Sequence, residues 1–139
     1  MRRAALLAAS ILLFAPVAAP DDDPEVKRIL AEIAGKEKLP AGQVFKNVKL
    51  LKDVPAARFL RIMDAGYSQA LGVMCDHCHV EDRFDADEKR PKLAAREMIV
   101  LTREINDQLA KMENIDTSEA TVNCTTCHRG YVKPAIQMR

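Results

Sequence analysis

The chain has 139 residues, 48% of them hydrophobic and 29% charged, with a formal net charge of +1. This near-neutral balance excludes the basic surface that nucleic-acid binding requires, so no nucleic-acid partner is expected. By length the chain forms one domain, and with four Phe, two Tyr and no Trp it has little aromatic material for a core.

The first residues have the pattern of a secretory signal peptide. An arginine pair at positions 2 and 3 precedes an apolar run from Ala4 to Phe14, and small residues follow up to Ala19. The run is too short to cross a bilayer comfortably. We therefore predict that residues 1–19 are a signal peptide, cleaved near Ala18 or Ala19, and that the mature protein is periplasmic. An uncleaved membrane anchor is the alternative.

The mature chain has helical periodicity and no strand-like alternation of useful length, which predicts an all-α fold. Residues 20–40 are predicted to form an N-terminal helix and connector, with a cap at Asp23, Pro24 in the first turn and an end at Gly35. Its apolar face would hold Val26, Ile29, Leu30 and Ile33. Residues 36–52 are too apolar for a free linker, so we expect them to wrap the core.

A second helix is predicted from a cap at Asp53, with Pro55 in its first turn, to about Leu71. Its apolar side would hold Ala56, Phe59, Met63, Gly66, Tyr67 and Ala70. The segment Cys75-Asp76-His77-Cys78-His79 follows at once. The charged loop behind it, from Glu81 to Arg90, is most simply a solvated surface.

A long helix is predicted over residues 92–112, after Pro91. Its inner face would hold Ala94, Ala95, Met98, Leu101, Ile105, Leu109 and Met112. A polar connection then leads to Cys124-Thr125-Thr126-Cys127-His128 and a short tail. The order of a helix followed by Cys-x-x-Cys-His therefore occurs twice, which suggests a duplicated unit within residues 41–139.

Both five-residue segments have the attachment pattern of c-type haem. Two thiols at this spacing can bond the two vinyl groups on one edge of a porphyrin, and the histidine that follows lies beneath the ring as an iron ligand. We therefore predict two covalent haem c groups. The attaching residues would be Cys75, Cys78, Cys124 and Cys127, and the fifth iron ligands His79 and His128. Export agrees with this prediction, because haem c is attached outside the cytoplasmic membrane.

Three other interpretations of the cysteines are a zinc site, a structural disulfide and a thioredoxin-like redox pair. A compact zinc ribbon is disfavoured because 45 residues separate Cys78 from Cys124. A redox pair explains neither the duplication nor the histidine that follows each pair.

The sixth iron ligand separates an electron carrier from a catalyst, because an open position would bind small molecules. The methionine candidates are Met63, Met74, Met98 and Met112, with Met138 remote on the tail. Most methionines on helices only fill a core. For the first haem, Met74 is tethered too closely to Cys75 to reach the far face, whereas Met63 can reach it.

Met98 and Met112 compete for the second haem. They lie 14 residues apart on one predicted helix, or about 21 Å along its axis, so only one can serve. Met112 repeats the twelve-residue spacing that separates Met63 from its motif. His77 is a further option and would give bis-histidine ligation.

Several segments outside the motifs also carry a resemblance to a known family. They are Val44-Phe45-Lys46-Asn47, Leu51-Lys52-Asp53-Val54, Leu71-Gly72-Val73, Asp87-Glu88-Lys89, Ala95-Arg96-Glu97-Met98, Thr102-Arg103-Glu104-Ile105-Asn106 and Cys127-His128-Arg129-Gly130. Over about residues 41–134 the sequence resembles the haem-binding unit of the cytochrome subunit of photosynthetic reaction centres. In that family a methionine on the helix before each of the first two motifs is the sixth ligand. The resemblance implies Met63 for the first haem and Met98 for the second.

The resemblance also has a limit, because the reaction-centre subunit carries four haems and is more than twice this length. We expect an exported diheme cytochrome c that passes single electrons between a donor and an acceptor protein through two low-spin His/Met haems. A membrane electron-transfer complex is a candidate partner. The alternatives are a diheme peroxidase or reductase with one open haem, and a haem subunit of a larger respiratory or photosynthetic complex.

Overall fold

The computed structural model describes residues 23–116 and 118–137, and in this part of the chain all regular structure is helical, as predicted. The helices are α1 (Pro24–Glu32), α2 (Ala41–Val44), α3 (Ala56–Arg61), a π-helical segment (Ile62–Ser68), α4 (Gln69–Leu71), α5 (Cys75–Cys78), α6 (Arg90–Leu109) and α7 (Cys124–His128). None of these helices is long and apolar enough to cross a membrane. The predicted signal peptide, residues 1–19, lies outside the described residues.

Helix α1 begins and packs as its sequence predicts. The Asp23 carboxylate accepts hydrogen bonds from two backbone N–H groups of the first turn, at 2.8 and 3.2 Å. Val26 is buried within the helix, and Ile33, just after its end, is buried in a small core with Ala56 and Leu60. The predicted cap and apolar face of α1 are therefore confirmed.

The connector after α1 packs on this core, as predicted. Val44 and Phe45 pack against it, and the rings of Phe45 and Phe59 stack with their centroids 5.6 Å apart. The backbone N–H of Ala56 donates to the Leu39 carbonyl at 2.9 Å, which ties the connector to the start of α3.

The predicted cap of the second helix at Asp53 is wrong. Helix α3 begins at Ala56, and its N-cap is Pro55, whose backbone is extended with φ −53° and ψ 139°. The first turn is positioned instead by backbone pairing with the connector and by the fixed φ of proline. The predicted end at Leu71 is confirmed, because Gly72 adopts the left-handed conformation with φ +66°.

Helix α6 differs from the prediction in its packing more than in its length. Its predicted inner face is open to solvent, with exposed fractions of 43% for Met98, 46% for Leu101 and 50% for Met112 just beyond the helix. Within the helix only Lys92 is buried. The described protein segments alone therefore do not cover the predicted inner face. Near the two ends of α6, Lys92 donates to the Phe84 carbonyl and Asn106 donates to the Val122 carbonyl. The apolar face between these two residues is not covered by any other described segment.

The two halves of the described chain meet through their backbones at Gly72 and Gly130. The N–H of Gly130 donates to the Ala70 carbonyl at 2.8 Å. A Cβ on Gly72 would lie 2.1 Å from the Gly130 carbonyl oxygen, which is far inside van der Waals contact. Helix α4 and the turn after α7 can therefore approach this closely only because residue 72 is glycine.

Gly72→Ala is expected to lower the free energy of unfolding more than Gly35→Ala does. Both glycines have positive φ, +66° and +81°, so each substitution costs about 1–2 kcal/mol of backbone strain. Only Gly72→Ala adds the clash with Gly130, which costs a further ~1–3 kcal/mol. Gly35 is the matched control, because nothing lies within 4 Å of its Cβ position. Denaturant unfolding measures both losses, and equal losses would contradict the backbone contact.

Candidate functional site

The first Cys-x-x-Cys-His segment forms one helical turn followed by an extended residue. Cys75 and Cys78 begin and end α5, so their side chains lie on the same face, one turn apart. His79 then leaves the helix with φ −114° and ψ 151°. Its Nδ1 lies 2.9 Å from the Phe84 carbonyl oxygen. Because a carbonyl can only accept, Nδ1 carries the proton and Nε2 keeps the lone pair that can bind a metal.

A cavity of about 500 Å³ lies over this segment, within the usual size range of cofactor sites. Its walls include Met63, Tyr67, Cys75, Cys78, His79 and Phe84. The structure therefore brings together the two thiols, the histidine and the methionine that the sequence assigned to the first haem.

Met63 and Tyr67 both belong to the π-helical segment, a helix type that is rare and often occurs at functional sites. The segment contacts both α5 and α7, the helices of the two motifs. Burial raises the pKa of Tyr67 to about 12, with a smaller contribution from Cys124 of the second motif and an opposing one from Arg103. The Tyr67 phenol is therefore protonated at neutral pH, and its ring lines the first cavity at a position near the second motif.

The charged loop between α5 and α6 is more than a solvated surface, because it delivers the Phe84 carbonyl to His79. The Asp87 carboxylate holds the loop on α6 through Arg96, at 3.0 Å, and Lys92, at 3.1 Å. Hydrogen bonds from Arg96, then Asn47 and Lys92, hold the pKa of Asp87 well below its usual range. The charge pattern of the loop alone did not show that it serves the histidine.

The second motif gives its histidine the same kind of partner as the first, a backbone carbonyl at Nδ1, although His128 lies within α7 and His79 lies just after α5. Helix α7 starts with a reciprocal cap, in which Asn123 accepts from the Thr126 N–H at 3.2 Å and its own N–H donates to the Thr126 hydroxyl at 3.0 Å. After the helix the chain turns back, and His128 Nδ1 lies 2.9 Å from the Tyr131 carbonyl oxygen. His128 therefore also keeps Nε2 as its free ligand atom.

Asn106 joins α6 to the segment before the second motif. Its Nδ2 donates to the Val122 carbonyl at 3.0 Å, and its Oδ1 accepts from the Val122 N–H at 2.8 Å. We did not assign this role from the sequence. No local signal marks it, because the neighbouring Asp107 and Gln108 are equally polar.

The candidate sixth ligands have different surroundings. Met63 is half-buried and lines the same cavity as His79. Met98 does not line that cavity, and Met112 lines a shallow groove beside Leu101, Ile105 and Leu109. Neither Met98 nor Met112 shares a described cavity with His128, so the choice between them still rests on the family resemblance.

The thiols differ from those of a redox-active pair. Burial raises the pKa values of Cys75, Cys78 and Cys124, whereas the reactive cysteine of a thioredoxin-like site has a lowered pKa. All four cysteines are free thiols. Among the described residues, no three His, Cys, Asp or Glu side chains are grouped closely enough to hold a metal ion. The zinc, disulfide and redox-pair interpretations therefore gain no support.

Known proteins similar to this chain are cytochromes. A family model described as "Photosynthetic reaction centre cytochrome C subunit" matches residues 18–137. The photosynthetic reaction center cytochrome c subunit of Rubrivivax gelatinosus is 36% identical over 95 residues, which are 68% of this chain and 25% of that protein. The subunit of the same name from Roseobacter denitrificans is 33% identical over 122 residues, 81% of this chain and 32% of that protein.

A relative with a different name is also similar. Cytochrome c-554 of Chloroflexus aurantiacus is 36% identical over 83 residues, which are 59% of this chain and 20% of that protein. The chain thus spans between a fifth and a third of the length of these relatives. Their names describe cytochromes and not enzymes.

Proposed function

The chain belongs to the family of the photosynthetic reaction centre cytochrome c subunit, and on that premise we propose that it is an exported diheme cytochrome c. It would transfer single electrons between redox partner proteins. Membership of a cytochrome c family implies covalently bound haem c. The number of haems, their ligands and the cellular location are parts of the proposal.

The observation that supports two haems best is that both motif histidines have a backbone carbonyl as the partner of Nδ1. Each imidazole has its Nδ1 2.9 Å from a backbone carbonyl, that of Phe84 for His79 and that of Tyr131 for His128. A carbonyl partner of this kind fixes the tautomer and orientation of a metal-bound histidine. Its occurrence at both motifs favours the same role for both histidines.

When bound, haem c supplies an iron that accepts and releases one electron at a time. At the first site we propose that Cys75 and Cys78 anchor the porphyrin edge, that His79 is the fifth ligand, and that Met63 is the sixth. All of these residues line one cavity of about 500 Å³. A ligand from the protein on each side of the iron keeps small molecules away and limits rearrangement during electron transfer.

At the second site we propose that Cys124 and Cys127 anchor the haem and that His128 and Met98 are its ligands. The open apolar face of α6 supports a haem in this region. Exposed fractions of 43% for Met98 and 38% for Ile105 leave apolar surface that a globular protein normally covers. A flat apolar cofactor in this region would supply the cover that the described protein segments lack.

We also propose that residues 1–19 direct export to the periplasm, where haem c is attached. The partners would be a donor and an acceptor protein. The names of the relatives from Rubrivivax and Roseobacter identify subunits of photosynthetic reaction centres, so a membrane electron-transfer complex is a candidate partner. The same names support the alternative that this chain is a haem subunit of a larger complex.

The haem content tests the proposal directly. Protein made with a c-type maturation system should gain the mass of two haems and keep its colour after acid–acetone extraction. Replacing both cysteines of one motif, Cys75 and Cys78 or else Cys124 and Cys127, should halve the ratio of haem to protein. Each double variant is the matched control for the other. A colourless wild-type protein, or one haem that a single motif accounts for, would contradict the proposal.

A further inference from the structure

Lys92 is the buried charged residue of the described chain, with 9% of its surface exposed. Its ammonium group donates to the Phe84 carbonyl at 2.8 Å and the Ala86 carbonyl at 2.7 Å, and it pairs with Asp87 at 3.1 Å. Burying an ammonium group is costly unless it is paired and hydrogen-bonded. These three partners meet that requirement and fix the position of Lys92.

The Phe84 carbonyl is the point at which Lys92 meets the candidate site. The same oxygen lies 2.9 Å from His79 Nδ1, so one acceptor serves the imidazole and the ammonium group. A single atom, the Phe84 carbonyl oxygen, therefore links the Lys92 ammonium group to His79, the proposed fifth ligand of the first haem.

The shared carbonyl affects the ease of reduction of the site in a definite direction. An ammonium group on the carbonyl draws its electron density away from His79 Nδ1–H, so the imidazole acquires less imidazolate character and donates less density to a metal. The positive charge also disfavours the more positive, oxidised state of the site. Lys92 and Arg96 both face Asp87, which leaves this group of three charges with a net charge of +1. Both effects favour reduction.

We propose that Lys92 is a positioning residue that raises the reduction potential of the first haem by acting through the Phe84 carbonyl on His79. The inference rests on the proposed function, in which His79 ligates that haem. His128 has its own carbonyl, that of Tyr131, so the second haem is an internal reference.

The test is a spectroelectrochemical titration of the haem-loaded full chain. Lys92→Gln should lower one of the two potentials, with a roughly tenfold smaller equilibrium constant for reduction, or about 59 mV for one electron, and leave the other unchanged. Lys92→Arg should restore most of the wild-type value. The matched control is Lys89→Gln, which removes the same charge near the same motif but from a lysine that donates to the Asp76 carbonyl. It should shift the potential much less.

Asp87→Asn provides a test of opposite sign. It removes the negative partner of Lys92, so the same haem should become easier to reduce, whereas general loosening of the loop would not reverse the sign. If Lys92→Gln does not fold, an unmoved or lowered potential in Asp87→Asn still overturns the proposal. If Lys92→Gln and Asp87→Asn both keep two low-spin haems with unchanged potentials, the proposed role of Lys92 is overturned but the proposed function is not. A wild-type protein without two one-electron steps would overturn the proposed function instead.

Discussion

Met63→Ala is expected to convert one of the two low-spin haems to a high-spin haem, or to one with water or His77 as a replacement ligand. Met63 lines the same cavity as His79 and is the sixth ligand that the family resemblance implies. Loss of the soft sulfur ligand should lower the potential of that haem, because methionine favours the ferrous state. The ferrous variant should bind about one equivalent of carbon monoxide, whereas the wild type should bind little. Absorption spectra and carbon monoxide titration measure both effects.

The control for Met63 is Met74→Ala. Met74 lines the same cavity but is 65% exposed and lies next to Cys75. Its replacement should leave both haem spectra unchanged. A spectral change with Met74→Ala and none with Met63→Ala would show that the first ligand is assigned to the wrong methionine.

Met98→Ala is expected to change the spectrum of the other haem, whereas Met112→Ala should not. Both side chains are about half exposed, with exposed fractions of 43% and 50%, so neither substitution should cost much packing, about 0.5 kcal/mol or less. The pair is therefore a matched comparison of ligation alone. Unfolding experiments on the two haem-loaded variants should show a loss for Met98→Ala, where a haem ligand is missing.

The opposite result would favour the repeated twelve-residue spacing over the family resemblance. If Met112→Ala alters the haem spectrum and Met98→Ala does not, Met112 is the ligand. If neither variant changes the spectrum and the wild-type ferrous protein binds carbon monoxide at one haem, that iron is open. Peroxide turnover by the same wild-type protein would then favour the diheme enzyme over the electron carrier.

The packing of the two motif units brings the proposed haem sites close together. Their backbones meet at Gly72 and Gly130, and Tyr67 lines the first cavity near Cys124 of the second motif. A joint of this kind would hold the two proposed haem sites at a fixed separation. The loss of unfolding free energy in Gly72→Ala therefore also measures how much the contact between the two units contributes to stability.

The sequence alone predicted the features that depend on local chemistry. The Asp23 cap, the end of the second helix at Leu71 and the helical fold all follow from neighbouring residues, and the structure confirms them. The two Cys-x-x-Cys-His motifs likewise identified the candidate haem residues, because the spacing itself carries the chemistry. The family resemblance extended this to Met63 and Met98, which stay predictions.

Only the tertiary structure showed which carbonyl holds each histidine, that Asn106 clamps the second motif, and that Lys92 shares the Phe84 oxygen. Backbone carbonyls leave no mark in a sequence, since every residue has one. The uncovered apolar face of α6 has a related reason. Helical periodicity identifies an apolar face, but not what covers it, and in the described chain no protein segment covers Met98 or Ile105. Burial is decided by partners distant in sequence, so it could be read only from the fold.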